Sequence, residues 1–383
     1  MNFEFYTSGQ IIFGRGSFNR LKEIMPKYGK NYLIALNGDI MLRNGVLERL
    51  EKLLEGTGTQ ITYFSDVLAE PDPETVQRGC EIALANNCDA VMAIGGGSAI
   101  DTAKAIAGLA TNGGNIVDYL EGVGTGKIIT KDTLPFIAVP TTSGTGAEVT
   151  KNAVISSKEG KYKKSFRSEK LLARVAIVDP ELTISVPRAI TARTGMDAIT
   201  QLIESYTTRK ANPMTSALAI YALGFAPDLI KAYDCPTDID ARESISLCSL
   251  ISGITLANSG LGAAHGIAAG LGAIYGVPHG EACAMLLPHI MRLNLDSCVP
   301  LYAHVGRAIC KKAFSTDLAA AEAAVLEIQN MCAYMQISLD LKHLNIKQED
   351  LIELAEASMG SSMSGNPVQL SVEQWADFLA KLI

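Results

Sequence analysis

AVMAIGGGSAIDTAKAIAGLA, residues 90–110, reads as a strand, a glycine turn and a helix in immediate succession. Ala90 to Ile94 is a short apolar run of the kind that fills a parallel strand buried on both faces. Ala99 to Ala110 continues as a helix. Between them, Gly95-Gly96-Gly97-Ser98 has no Cβ to keep an anion away from three consecutive backbone groups, and the start of the helix faces that anion with unbonded N–H groups. The turn is therefore a candidate phosphate cradle. A purely structural alternative is a tight turn closed by a capping box between Ser98 and Asp101. Neither G-x-G-x-x-G nor G-x-x-x-x-G-K-[ST] is present, so the turn is not an ordinary Rossmann fingerprint or P-loop.

Working outward, Tyr32 to Leu36, Phe136 to Val139 and Val175 to Val178 are apolar runs of the same kind, separated by helical stretches. The segment Phe3 to Ile12 reads as a strand or hairpin leading to the first helix. Alternation of strand and helix predicts an α/β domain with a parallel sheet. Past Pro187 the strand signal fades, and Met214 to Tyr233, Ala241 to Asn258, Glu281 to Leu293, Leu318 to Met335 and Val372 to Ile383 fit helical periodicity. Two prolines bracket the connector Asp179 to Pro187. The expected organisation is an α/β dinucleotide-binding domain over residues 1–184 and an all-helical domain over 185–383.

A second glycine-bearing loop follows the strand Phe136 to Val139. Thr141, Thr142, Ser143 and Thr145 beside Gly144 and Gly146 offer hydroxyl and backbone donors for a ribose or phosphate, although such residues also make ordinary loops. Downstream, Lys161, Lys163 and Lys164 form a basic cluster from which one lysine could reach a cofactor phosphate; a merely solvated charge run is the alternative.

Composition narrows the class. At 48% hydrophobic and 19% charged residues, the 383-residue chain has the profile of a globular enzyme and is long enough for two cores. Its net charge of −7 argues against a nucleic-acid or anionic-membrane partner. The eight cysteines include no C-x-x-C pair and the N-terminal residues have no basic and apolar leader pattern, so a reducing cytoplasm is expected. Ser244 to Gly280 contains no Asp, Glu, Lys or Arg. It is broken by Ser, Gly, Asn and Thr and has no basic flank, which favours a buried core over a membrane span.

That uncharged run holds His265 and His279. On one straight helix they would lie about 21 Å apart, but Gly270, Gly272, Gly276 and Pro278 between them permit a break and a return. Upstream, Asp197 and Gln201 lie one helical turn apart, on the face opposite Ile199, Leu202, Ile203 and Tyr206; Glu204 shares the polar face. Imidazole and carboxylate are the usual ligands of a catalytic divalent metal. A solvated polar face and core histidines are the alternatives.

Together these motifs carry a resemblance. Gly95-Gly96-Gly97-Ser98 with Asp101 and Lys104, Thr141 to Thr150, Gly195-Met196-Asp197-Ala198-Ile199, Gly262-Ala263-Ala264-His265-Gly266 and Pro278-His279-Gly280 occur in the order seen in iron-containing (group III) alcohol dehydrogenases, over nearly the whole chain. The resemblance implies an NAD- or NADP-binding N-terminal domain, a helical C-terminal domain, a metal in the cleft between them and hydride exchange with a small alcohol or aldehyde. It implies cofactor contacts from Gly96, Gly97, Ser98, Asp101, Thr141, Thr142, Thr145, Asn152 and Lys163. Asp197, His265 and His279 would hold Fe2+ or, alternatively, Zn2+. A homodimer or larger homo-oligomer is expected.

Three positions depart from the family pattern. A histidine ligand is replaced by Gln201, which can still offer a carbonyl oxygen, a harder ligand than imidazole. A further cleft histidine is Ala269, so no proton relay through that position and no general base are assigned. After the strand Tyr32 to Leu36, Gly38 occupies the place where NAD-using relatives commonly carry an aspartate for the ribose, and the neighbouring Asp39 could take that role and favour NAD. The expected chemistry is Lewis-acid polarisation of the substrate oxygen with hydride exchange at the adjacent carbon. Alternatives are a metal-independent oxidoreductase similar to maleylacetate reductases and a non-catalytic dinucleotide-binding protein.

Overall fold

Every side chain of the central strands is buried, and this explains why they read as continuous apolar runs. The computed structural model describes residues 2–38, 45–157, 159–160 and 162–383. Asp39 and Lys161 lie outside the described residues. The chain divides into two units, Tyr6–Val186 and Pro187–Ile383, the latter joined by residues 2–5.

The first unit contains strands β1 (Gln10–Phe13), β2 (Asn31–Leu36), β3 (Gln60–Phe64), β4 (Ala90–Gly95), β5 (Phe136–Pro140), β6 (Asn152–Ser157), β7 (Tyr162–Arg167) and β8 (Val175–Val178). Helices α1 (Leu21–Tyr28), α2 (Val46–Leu54), α3 (Pro73–Ala85) and α4 (Gly97–Asn112) accompany them. Six strands form a parallel sheet in the order β1-β8-β5-β4-β2-β3, and β6 pairs antiparallel with β7. Alternate residues of one strand feed different cores. Leu33, Ala35, Val91 and Ala93 pack with Ala103 and Ile106 of α4, whereas Tyr32, Ile34, Met92 and Ile94 pack with Leu21, Met25, Leu47 and Leu50 of α1 and α2. Helices therefore cover both faces, the condition for an all-parallel sheet.

One local expectation is corrected, and two further elements were not anticipated. Only Gln10–Phe13 of the N-terminal segment is a strand, and it pairs parallel with β8, so there is no hairpin there. The edge strand β3 escaped notice because its QITYF is only half-buried and carries no Ile/Val run. The β6–β7 hairpin has no strand signature in the sequence because NAVISS and YKKSFR mix polar and apolar residues.

The second unit comprises α5 (Arg188–Thr207), α6 (Pro213–Leu223), α7 (Asp228–Asp234), α8 (Ile239–Ser259), α9 (Ala263–Tyr275), α10 (His279–Cys310), α11 (Asp317–Tyr334), α12 (Leu351–Ser358) and α13 (Val372–Leu379), with no strand among the described residues. The expected helix Met214 to Tyr233 splits into α6 and α7 at Gly224 to Pro227. In contrast, α10 runs far beyond the expected Leu293, through Pro288 and Pro300. Each interior proline costs about 3 kcal/mol. Buried Leu286, Leu287, Ile290, Met291, Leu295 and Tyr302 along the same helix each return roughly 1.5–3 kcal/mol, so burial outweighs the breaks. Among the described residues no single helix is long and apolar enough to cross a membrane, and the uncharged run forms α8 and α9, bent by 98°.

Candidate functional site

Helix α5 is buried on both sides. Met196, Ile199, Leu202, Ile203 and Tyr206 enter the apolar core, while Asp197, Gln201 and Glu204 on the other face are only 1%, 2% and 3% exposed. The solvated-face alternative is thus excluded. A buried polar stripe must find partners or lose several kcal/mol, and here the partners come from α8, α9 and α10.

Glu204 makes the decisive contacts. Helix α9 begins at Ala263 after Gly262, which brings no side-chain cap, so its first N–H groups need acceptors from elsewhere. Glu204 Oε1 accepts from the Ala264 N–H at 2.7 Å, and Asn366 Oδ1 accepts from the Ala263 N–H at 3.2 Å. A Cβ on residue 262 would stand 2.8 Å from Glu204 Oε1, so glycine is required for this approach. The second oxygen of Glu204 lies 2.7 Å from His265 Nδ1. An ionised carboxylate only accepts, so Nδ1 carries the proton and donates. Nε2 lies 3.2 Å from Asp197 Oδ1; it donates there while the imidazole is charged and offers its lone pair once it is neutral, as a metal requires.

The second imidazole arrives by the break foreseen in the sequence. Gly276 ends α9 in the left-handed region at φ 67°, Pro278 precedes α10, and His279 is its first residue. Gly280 lets α10 approach α5 closely, since a Cβ there would meet Arg193 O at 2.4 Å. The result sets the His265 and His279 ring centroids 5.3 Å apart, with His279 Nε2 3.8 Å from Asp197 Oδ1.

Two basic nitrogens and a carboxylate oxygen thus face one small volume. Burial alone would disfavour charge on Asp197, but His279, His265 and Gln201 hold its pKa below the ordinary carboxylate value. Burial also works against a charged His265, yet Cys283, Asp197 and Glu204 raise its pKa well above the ordinary imidazole value. The arrangement demands positive charge at its centre. A divalent cation meets that demand with the donor types it prefers, and the Glu204–His265 pair is the outer-sphere contact usual for a metal-bound histidine.

Gln201 is placed differently from expectation. Its Oε1 accepts from Ser252 Oγ at 2.7 Å, and its amide donates to Asp197. The oxygen expected to ligate accepts from a serine here, and the amide holds the carboxylate in place. Sequence reasoning passed over Cys283 altogether, although it lies one turn after His279; one donor atom each of Asp197, His265, His279 and Cys283 lies within 4.8 Å of the others.

In the α/β unit, the glycine turn after β4 and the threonine loop after β5 meet at the carboxyl ends of adjacent strands. The crossovers leaving β2 and β4 run in opposite directions across the sheet, so their carboxyl ends form the crevice where such sheets bind ligands. Asn37, just past β2, accepts from the Gly96 N–H at 2.9 Å. A Cβ on Gly96 would lie 3.2 Å from Thr142 Oγ1, and one on Gly97 would lie 2.8 Å from Thr145 Oγ1. Helix α4 starts at Gly97 behind Gly96 with no side-chain cap, leaving its N–H groups to a ligand. Thr141 is buried and its N–H donates to Gly95 O at 2.9 Å. Gly38 takes φ +48° with open space about it.

Other expected cofactor residues have protein partners. Ser98 Oγ donates to Ala69 O at 2.5 Å, and Asp101 accepts from the Val154 N–H at 3.0 Å, so no capping box closes the turn. Asp101 also faces Lys104 Nζ at 3.7 Å, and Lys104 donates to Thr150 Oγ1 and to the Asn152 carbonyl. These contacts tie α4 to the start of β6. Lys163 Nζ pairs with Glu70 at 2.7 Å.

Both halves of the chain match one family. Residues 8–180 fit the model of the iron-containing alcohol dehydrogenases, and residues 191–383 fit that of the C-terminal part of the Fe-containing alcohol dehydrogenase family. The chain belongs to the iron-containing alcohol dehydrogenase family. It is 32% identical to the NAD-dependent methanol dehydrogenase of Bacillus methanolicus over 92% of each chain. It is 34% identical to alcohol dehydrogenase 4 of Saccharomyces cerevisiae strain YJM789, over 98% of this chain and 97% of that one. The crystal structure of a 1,3-propanediol oxidoreductase superposes with a TM-score of 0.94 at 30% identity, over the full length of both. As a member of this family the protein is a metal-dependent, NAD(P)-linked alcohol dehydrogenase.

Proposed function

We propose that this alcohol dehydrogenase interconverts a short aliphatic alcohol and its aldehyde, with NAD favoured over NADP and with iron or zinc held by Asp197, His265 and His279. The observation that carries the metal assignment is the Glu204 contact to His265 Nδ1, which fixes the proton there and leaves Nε2 facing Asp197 as the ligating nitrogen. When bound, the ion supplies Lewis acidity toward the substrate oxygen, and the nicotinamide supplies or accepts hydride. Glu204 keeps a proton at His265 Nδ1, and Gln201 holds Asp197 by an amide N–H. His279, with its side chain 28% exposed where the other residues are enclosed, marks the side from which substrate would reach the ion.

Gly96, Gly97 and the α4 N-terminus would take the cofactor diphosphate, with Thr142 and Thr145 beside it. The short-chain substrate is supported by the methanol and 1,3-propanediol named for the relatives, and the NAD preference by the first of these and by Asp39 beside Gly38. Eight cysteines without a disulfide support a cytoplasmic location. The homo-oligomer expected from the family is likewise proposed, and sedimentation reads it directly. The reading is tested by elemental analysis of the purified protein combined with NADH and NADPH oxidation against a panel of aldehydes. Full turnover by demonstrably metal-free protein would overturn it.

A further inference from the structure

The geometry points to Cys283 as the fourth protein ligand of the metal, in the place that Gln201 leaves. This rests on the reading of Asp197, His265 and His279 as the other three. His279 and Cys283 stand at i and i+4 at the start of α10, so their side chains lie one above the other on one helix face. Cys283 is fully buried, with Sγ 3.8 Å from His279 Nε2, and it also interacts with His265. A tetrahedral ion with ordinary Zn–N, Zn–O and Zn–S bonds sets its ligand atoms about 3.3–3.7 Å apart. The observed separations are 3.2 Å for Asp197 to His265, 3.8 Å for Asp197 to His279 and 3.8 Å for His279 to Cys283. All four donor atoms lie within 4.8 Å of one another, so closing on an ion needs movements of at most about an ångström.

Gln201 has no such freedom. Turning its oxygen to the ion would break the Ser252 hydrogen bond and withdraw the amide from Asp197. With a thiolate in the set the site becomes softer than one of carboxylate and imidazole alone, which moves its preference from iron toward zinc. Thiolate binding releases the Sγ proton to solvent as the S–metal bond forms.

Cobalt(II) is the probe, because a thiolate ligand adds a near-ultraviolet sulfur-to-cobalt charge-transfer band that oxygen and nitrogen ligands do not. Full-length protein stripped by a chelator is titrated with cobalt chloride. The expected result is a charge-transfer band saturating at one ion per chain and absent in Cys283→Ser, whose cobalt affinity falls at least the roughly 10-fold that even outer contacts are worth. Cys332→Ser, at a buried cysteine bonded to Ala284 O, should keep the band. Cobalt bound with visible d–d bands but no charge-transfer band in the wild type would overturn the assignment of Cys283 and leave the three-ligand reading intact. A band unchanged in Cys283→Ser would do the same. Wild-type protein that retains no cobalt would overturn both. The wild-type spectrum decides even where a variant folds poorly.

Discussion

Replacing Glu204 by Gln keeps the shape of the side chain and changes one oxygen into a donor. In the native protein the Ala264 N–H and the His265 Nδ1–H converge on the two carboxylate oxygens, each at 2.7 Å. Glutamine can serve only one of them. If its oxygen caps α9, its NH2 group faces Nδ1, and His265 must move its proton to Nε2. That proton then points at Asp197 Oδ1, and the lone pair is lost to the metal. If its oxygen keeps Nδ1–H, the Ala264 N–H at the buried start of α9 meets another donor. Loss of an outer contact to a metal-bound histidine lowers affinity about 10–100-fold, roughly 1.4–2.7 kcal/mol. The lost charge-assisted bond costs folding about 1.5–3 kcal/mol. Metal affinity is measured by competition with a chromophoric chelator and stability by urea unfolding of the metal-free protein. Unchanged metal affinity in Glu204→Gln would refute the claim that this carboxylate sets the His265 tautomer.

Gly280→Ala places a Cβ against the Arg193 carbonyl; it should cost about 1–3 kcal/mol by overpacking and weaken metal binding through His279, whereas Gly360→Ala, where the space is open, should do neither, as paired melting and chelator titrations would show. Stability should depend on pH through Glu148, whose pKa burial pushes from 4.5 up to about 7. The unfolded carboxyl ionises between these values while the folded one stays protonated, so wild-type stability is full below 4.5 and falls by about 3 kcal/mol on rising to pH 7. Between pH 5 and 7.5 the stability from urea unfolding should fall about 2 kcal/mol further in wild type than in Glu148→Gln, and parallel behaviour of the two proteins would contradict it. Asp39→Ala should raise kcat/KM with NADPH relative to NADH if Asp39 repels the 2′-phosphate; an unchanged ratio removes Asp39 from cofactor choice.

The α/β half and the positions of its central strands were largely legible because strands buried on both faces demand continuous apolar runs, and those runs stand out at Tyr32, Ala90, Phe136 and Val175. The edge strand β3 and the β6–β7 hairpin were not, since half-exposed strands tolerate the polar residues that loops also use. The candidate ligands Asp197, His265 and His279 were likewise readable, together with the glycines and proline that allow the two imidazoles to meet.

What tertiary structure alone decided is how each polar side chain of α5 is used. Sequence places Asp197, Gln201 and Glu204 on one helix face, because helical period is a local property. It does not say what that face meets. Burial removes water as a partner, so each group takes the donor or acceptor that another helix brings: Ser252 for the Gln201 oxygen, and the start of α9 and His265 for Glu204. Cys283 comes level with His279 only because α10 begins at His279 and Gly280 allows it against α5. Residue types constrain which ligands are available, but the close approach of helices distant in sequence selects which of them face the same point.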